Sequence, residues 1–140
     1  MPALLVIDED QVALAGTREQ LRRRYGADYQ IFGEPSPGLG LVRLKELTEA
    51  GEHVALVLAA QWMDEMTGTE LLSRVPATHP SAKRGLLIDW GSWGDAGTAN
   101  AIFEAMALNR IDYYVLRPEA DSDELFHRTV TEFLQEWARG

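Results

Sequence analysis

The chain has 140 residues, 46% of them hydrophobic, which suits one globular domain with a single core and argues against disorder. There is no cysteine, which excludes disulfides, thiolate catalysis and Cys-ligated zinc or iron–sulfur clusters within the chain. The net charge of −9 disfavours nucleic-acid binding, since phosphate neutralisation supplies most non-specific affinity.

Strand and helix signals alternate along the whole chain. Leu4–Ile7 is a short apolar run that reads as a buried strand, followed directly by Asp8, Glu9 and Asp10. From about Gln11 to Tyr25 the pattern is helical, with Val12, Leu14, Leu21 and Tyr25 as its apolar positions and Gly26 as the stop. Arg22, Arg23 and Arg24 form the one dense basic run and read as a solvated helix end. Tyr29–Phe32 is a second strand closed by Gly33, and Pro35, Pro37, Gly38 and Gly40 mark a loop. A second helix runs from Leu41 to Ala50 and stops at Gly51. Val54–Ala59 is the most apolar strand and belongs at the sheet centre.

Thr69 to Val75 makes a short third helix, ended by Pro76 and Pro80, and Gly85–Ile88 is a fourth strand. A glycine-rich loop from Trp90 to Gly97 carries two tryptophans, after which Thr98 to Leu108 is helical. Tyr113–Leu116 is the fifth strand, closed by Arg117-Pro118. The last helix runs from Ser122, its expected N-cap, to Trp137, with Leu125, Phe126, Val130, Phe133, Leu134 and Trp137 along an apolar face.

Five strands separated by helices imply right-handed βαβ crossovers. The expected architecture is a flavodoxin-like (βα)5 α/β domain with a five-stranded parallel sheet in the order 2-1-3-4-5. Its site lies at the carboxyl ends of strands one and three. No run of eighteen or more apolar residues suggests a transmembrane helix, and the N-terminus lacks a basic secretory region, so a cytoplasmic location is the default. His53, His79 and His127 have no metal-ligand spacing, and the glycines form neither a dinucleotide fingerprint nor a phosphate loop.

Clustered carboxylates at a strand's end, as at Asp8 and Glu9, can hold a divalent cation, or can simply favour the positive end of a helix that Asp10 caps. The segment Ala60-Gln61-Trp62-Met63-Asp64-Glu65-Met66-Thr67-Gly68 resembles the middle of a bacterial response-regulator receiver domain, whose pattern is D-x-x-M-P-x-x-x-G. Met63 and Gly68 match, Asp64 stands for Pro, and Ala60 stands for the phospho-accepting Asp. The resemblance implies that Asp8 and Glu9 form a Mg²⁺-binding pair. It puts Ile88, or Asp89 if the register slips by one, where receivers carry a Thr or Ser hydroxyl. It also puts Arg117 where they carry a Lys preceding a cis-proline, and Tyr114 where an aromatic reports activation.

Acceptor, hydroxyl and lysine all depart from the pattern together, so the chain resembles a degenerate, pseudo-receiver type. Asp64 and Asp89 are the alternative acceptors for a phosphorelay. Trp62, Trp90 and Trp93 surround the crevice, either as a hydrophobic lid or as a stacking surface for a planar ligand or partner side chain. Receivers dock through helix four, strand five and helix five, which directs attention to Tyr114, Phe126, Val130, Phe133 and Trp137. Four stretches (Leu21–Gly26, Leu86–Asp95, Arg110–Pro118 and Phe126–Trp137) are similar to the N-terminal receiver of bacterial proteins that continue into a thioredoxin-reductase-like flavoprotein. The function implied is a non-enzymatic regulatory module, excised from a longer protein or acting alone. It would control a fused effector, a separate protein partner or a second copy of itself, without nucleic acid or membrane.

Overall fold

The computed structural model describes residues 1–89, 91, 95–118 and 123–140. The first half of the chain runs β1 (Ala3–Ile7), α1 (Gln11–Tyr25), β2 (Gln30–Glu34), α2 (Pro37–Glu49) and β3 (Val54–Ala60). The second runs α3 (Gly68–Arg74), a 3-10 turn (Val75–Ala77), β4 (Lys83–Ile88), α4 (Ala96–Ala107), β5 (Tyr113–Leu116) and α5 (Glu124–Arg139). The five strands form one parallel sheet in the order β2-β1-β3-β4-β5, as the alternation of elements predicts.

Side chains alternate across a strand, so β1 feeds two cores. Leu4 and Val6 join Leu56, Leu58, Leu87 and Val115 under α1 and α5, where Leu21, Tyr25, Phe126, Val130, Phe133 and Leu134 complete one cluster. Leu5 and Ile7 join Val57, Ala59, Leu86 and Ile88 on the other face, beneath Leu44 and Leu47 of α2, Leu71 and Leu72 of α3, and Ile102 of α4. Every residue of β1 and β3 is buried, which is why both read as uninterrupted apolar runs.

Four expectations change. The Pro35–Gly40 stretch is not all loop: Ser36 caps α2 by accepting from the Leu39 N–H, and Pro37 occupies the first turn, where its missing N–H costs nothing. β2 continues through Gly33 to Glu34, because Gly33 pairs with Val6 in the ladder. The N-cap of α5 is Asp123, whose carboxylate accepts from the Phe126 N–H; Ser122 lies outside the described residues. No cis peptide bond occurs among the described residues, so the Arg117–Pro118 bond is trans, the isomer that X–Pro bonds favour by about 0.5–1 kcal/mol. No helix among the described residues is long and apolar enough to cross a membrane.

Candidate functional site: the carboxyl ends of β1, β3, β4 and β5

Parallel pairing carries four strand ends to one edge. Ile7 pairs with Ala59, Ala60 with Leu87 and Ile88 with Leu116, so Asp8, Ala60, Asp89 and Arg117 follow one another along that edge. The Arg117 N–H donates to the Ile88 carbonyl at 2.9 Å, which extends the β4–β5 pairing one step into the site.

Asp8 is 2% exposed. Its Oδ1 accepts from the Asp10 N–H at 3.0 Å, and its Oδ2 lies 2.6 Å from Nη1 of Arg117. That second contact is an ion pair in distance but lacks the alignment of a hydrogen bond. Burial pushes the Asp8 carboxyl above its ordinary value, and the Arg117 charge pulls it partly back. Asp10 does not face the crevice chemistry; its Oδ1 accepts from the N–H groups of Val12 and Ala13 and caps α1.

Glu9 is committed elsewhere as well. Its Oε1 accepts from the Asp64 N–H at 2.8 Å and ties the loop after β1 to the loop after β3. That second loop is fixed from within. The Gly68 N–H donates to the Gln61 carbonyl at 2.9 Å, and the buried Gln61 amide oxygen accepts from both the N–H and the hydroxyl of Thr69. Gly68 crosses the end of β3 so closely that a Cβ there would collide with the Ala60 carbonyl oxygen. The match of Gly68 to the receiver spacing therefore has a packing cause.

Ala60 is buried and presents a methyl group beside Asp8. The two readings of the end of β4 now separate. Ile88 is 3% exposed and belongs to the apolar core, whereas Asp89 reaches the site, its Oδ1 lying 3.1 Å from Nε of Arg117. Asp64 is exposed, with its backbone held by Glu9. Arg117 thus gathers the carboxylates of Asp8 and Asp89, and no group of three or more His, Asp or Glu side chains able to hold a metal occurs among the described residues.

A cavity of about 130 Å³ adjoins the bridge, between Gln61, Trp62, Ile88, Asp89, Thr98 and Arg117. That volume is below the ~300–1,000 Å³ common for small-molecule sites. Trp62 is exposed at its rim; Trp90 and Trp93 lie outside the described residues. Thr98, unnoticed in the sequence, brings a buried hydroxyl to the cavity wall and donates it to Oδ2 of Asp95, the N-cap of α4, at 2.6 Å. The spacing Asp-x-x-Thr, an N-cap followed three residues later by a hydroxyl, was the available signal. A larger cavity of about 430 Å³ lies at the opposite end of the sheet. There Arg84 is already paired with Asp112, Asn109 and the Arg110 carbonyl.

The expected docking residues divide. Phe126, Val130 and Phe133 are 1%, 0% and 6% exposed, so their spacing records core packing against the sheet, not a docking surface. Trp137 is half-buried and meets Tyr29 edge-on, with ring centroids 6.5 Å apart. Tyr114 is half-buried and lies against Tyr113, centroids 4.4 Å apart; the Tyr113 hydroxyl, then burial, pushes its phenol above the ordinary value. On the edge formed by α4, β5 and α5 the exposed apolar side chains include Leu108, Tyr113 and Leu125.

No protein-family model matches the sequence, and no curated protein matches it. Solved structures do. A protein of uncharacterised function from Neptuniibacter caesariensis superposes with a TM-score of 0.75 at 25% identity, covering 98% of this chain and 90% of that one. The signal receiver domain of an HD-domain-containing protein from Pseudomonas fluorescens Pf-5 superposes at 0.72 with 24% identity, covering 99% and 90%. A CheY-like response-regulator receiver domain protein from Methanospirillum hungatei JF-1 superposes at 0.71 with 21% identity, covering 99% and 98%. The fold is that of CheY-type receivers, flavodoxin-like with the strand order 2-1-3-4-5.

Proposed function

We propose that this domain is a receiver-like signalling module that works without a phosphorylated aspartate, by contact with a protein partner. The observation that carries this reading is the buried methyl of Ala60 beside Asp8, where a receiver needs an anionic oxygen to attack a phosphoryl donor. Asp89, at the end of β4, is paired with Arg117, and Asp64 stands exposed in a loop. On this reading the domain is not an enzyme. It acts in the cytoplasm through the edge formed by α4, β5 and α5, upon a fused effector or a separate protein. A thioredoxin-reductase-like flavoprotein is the effector that the sequence resemblance favours, and a second copy of the chain is the other partner to test.

Incubation with acetyl phosphate and Mg²⁺ followed by intact-mass measurement tests the central claim. The expected result is an unchanged mass. A gain of one phosphoryl group that disappears in Asp64→Ala or Asp89→Ala would instead make the domain a working phosphorelay receiver.

A further inference from the structure

We propose that the Arg117 guanidinium is the resident cation of the acidic pocket, joining the ends of β1, β4 and β5 in the place of a divalent metal, so that the pocket does not take up Mg²⁺. Asp8 is 2% exposed. A carboxylate this deeply buried requires a cation or a proton. Its Oδ2 faces Arg117 Nη1 at 2.6 Å, and its Oδ1 already accepts from the Asp10 N–H.

Magnesium demands near-octahedral oxygen ligation and is usually held by one or two carboxylates. The residues present fit that demand poorly. Glu9 directs Oε1 to the Asp64 N–H, Ala60 supplies no oxygen from its side chain, and Asp89 is drawn to Arg117 Nε at 3.1 Å. A metal reaching Asp8 Oδ2 would have to displace the guanidinium or sit against a second positive charge.

The shape of arginine suits this arrangement better than that of lysine. Nη1 and Nε lie on one rigid plane, and the fork places two carboxylates from different strands on one side chain. The backbone bond from Arg117 to Ile88 holds the base of that side chain, so the charge is delivered in a fixed register. Metal uptake at Asp8 and phosphoryl transfer at the end of β3 are separate events. A domain that is never phosphorylated can still bind Mg²⁺, so the mass measurement and the metal measurement fail separately.

The test is thermal unfolding of the whole chain in about 10 mM MgCl₂ against NaCl of equal ionic strength, where the parent protein is expected to shift by less than about 1 °C. Arg117→Met leaves Asp8 buried and unpaired. Its Tm falls in NaCl, and Mg²⁺ then restores about 3 °C or more, a response lost in Asp8→Asn/Arg117→Met. Arg117→Gln, which keeps a polar side chain but carries no charge, is expected to respond to Mg²⁺ in the same way and carries the test if the methionine variant does not fold. A rise of several degrees in the parent protein overturns the proposal. So does an Arg117→Met variant that folds and ignores the metal.

Discussion

Gly68 shows how a single position links a sequence spacing to the site. Its N–H closes the loop onto Gln61, and the missing Cβ lets the chain pass over the Ala60 carbonyl. Gly68→Ala sets a methyl against backbone, which gives way less readily than a side-chain end. The expected cost is about 1–3 kcal/mol, measured as the change in unfolding free energy in urea. A variant as stable as the parent would mean that the loop after β3 has more freedom than its hydrogen bonds indicate. Ala60 and Gly68 were legible from the sequence because they sit on one continuous segment with a fixed spacing. The Arg117–Asp8 ion pair was not legible, since it joins two strands far apart in the chain and depends on where a long side chain points. The loop contact of Glu9 was hidden for a related reason. Its residue type points to metal chemistry, and its carboxylate also satisfies a backbone N–H on a neighbouring loop, a partner no residue pattern announces.

The helices were read well where an apolar face had to cover the sheet and poorly where local chemistry set their ends. Prolines and glycines near residue 37 read as loop punctuation, yet Ser36 caps α2 and Pro37 begins it. Ser36→Ala is expected to cost about 1 kcal/mol of stability by urea unfolding, as loss of a side-chain cap does. The contact of α1 with α5 makes a pH-dependent prediction. His127 is buried on α5, its Nε2 3.0 Å from the Gln20 amide oxygen on α1, while the Tyr25 hydroxyl donates to the His127 carbonyl. Burial, and then the charge of Arg24, lower the His127 pKa below the ordinary 6.5. The unfolded chain therefore takes up this proton first as pH falls. The stability linked to His127 is full above about pH 6.5 and is lost progressively below it. His127→Gln, which cannot titrate, should show a shallower loss of stability between about pH 7.5 and 5.5 than the parent protein. Equal slopes would show that the imidazole gains its proton in the folded state as easily as in the unfolded one.

Charge and surface together decide how the domain meets partners. Its 22 acidic and 13 basic residues leave nine negative charges, so two copies repel at a distance. β5 is an edge strand, and exposed Tyr113 sits beside Thr129 and Glu132 of α5, one turn from exposed Leu125. An apolar contact ringed by acidic groups should strengthen as salt screens the repulsion. Raising NaCl from roughly 20 to 300 mM shortens the screening length from about 20 to about 6 Å. If a second copy is the partner, the sedimentation coefficient should rise over that range at tens of micromolar protein. Tyr113→Glu or Leu125→Glu should abolish the rise at a smaller cost in melting temperature than a core substitution, because both side chains lie at the surface. Trp137→Ala separates packing from docking. Trp137 rests on Tyr29, so its truncation should lower the melting temperature and leave the sedimentation coefficient alone. A coefficient that stays monomeric at every salt concentration removes the second copy as the partner. A rise that survives Tyr113→Glu and Leu125→Glu places the contact on another face of the domain.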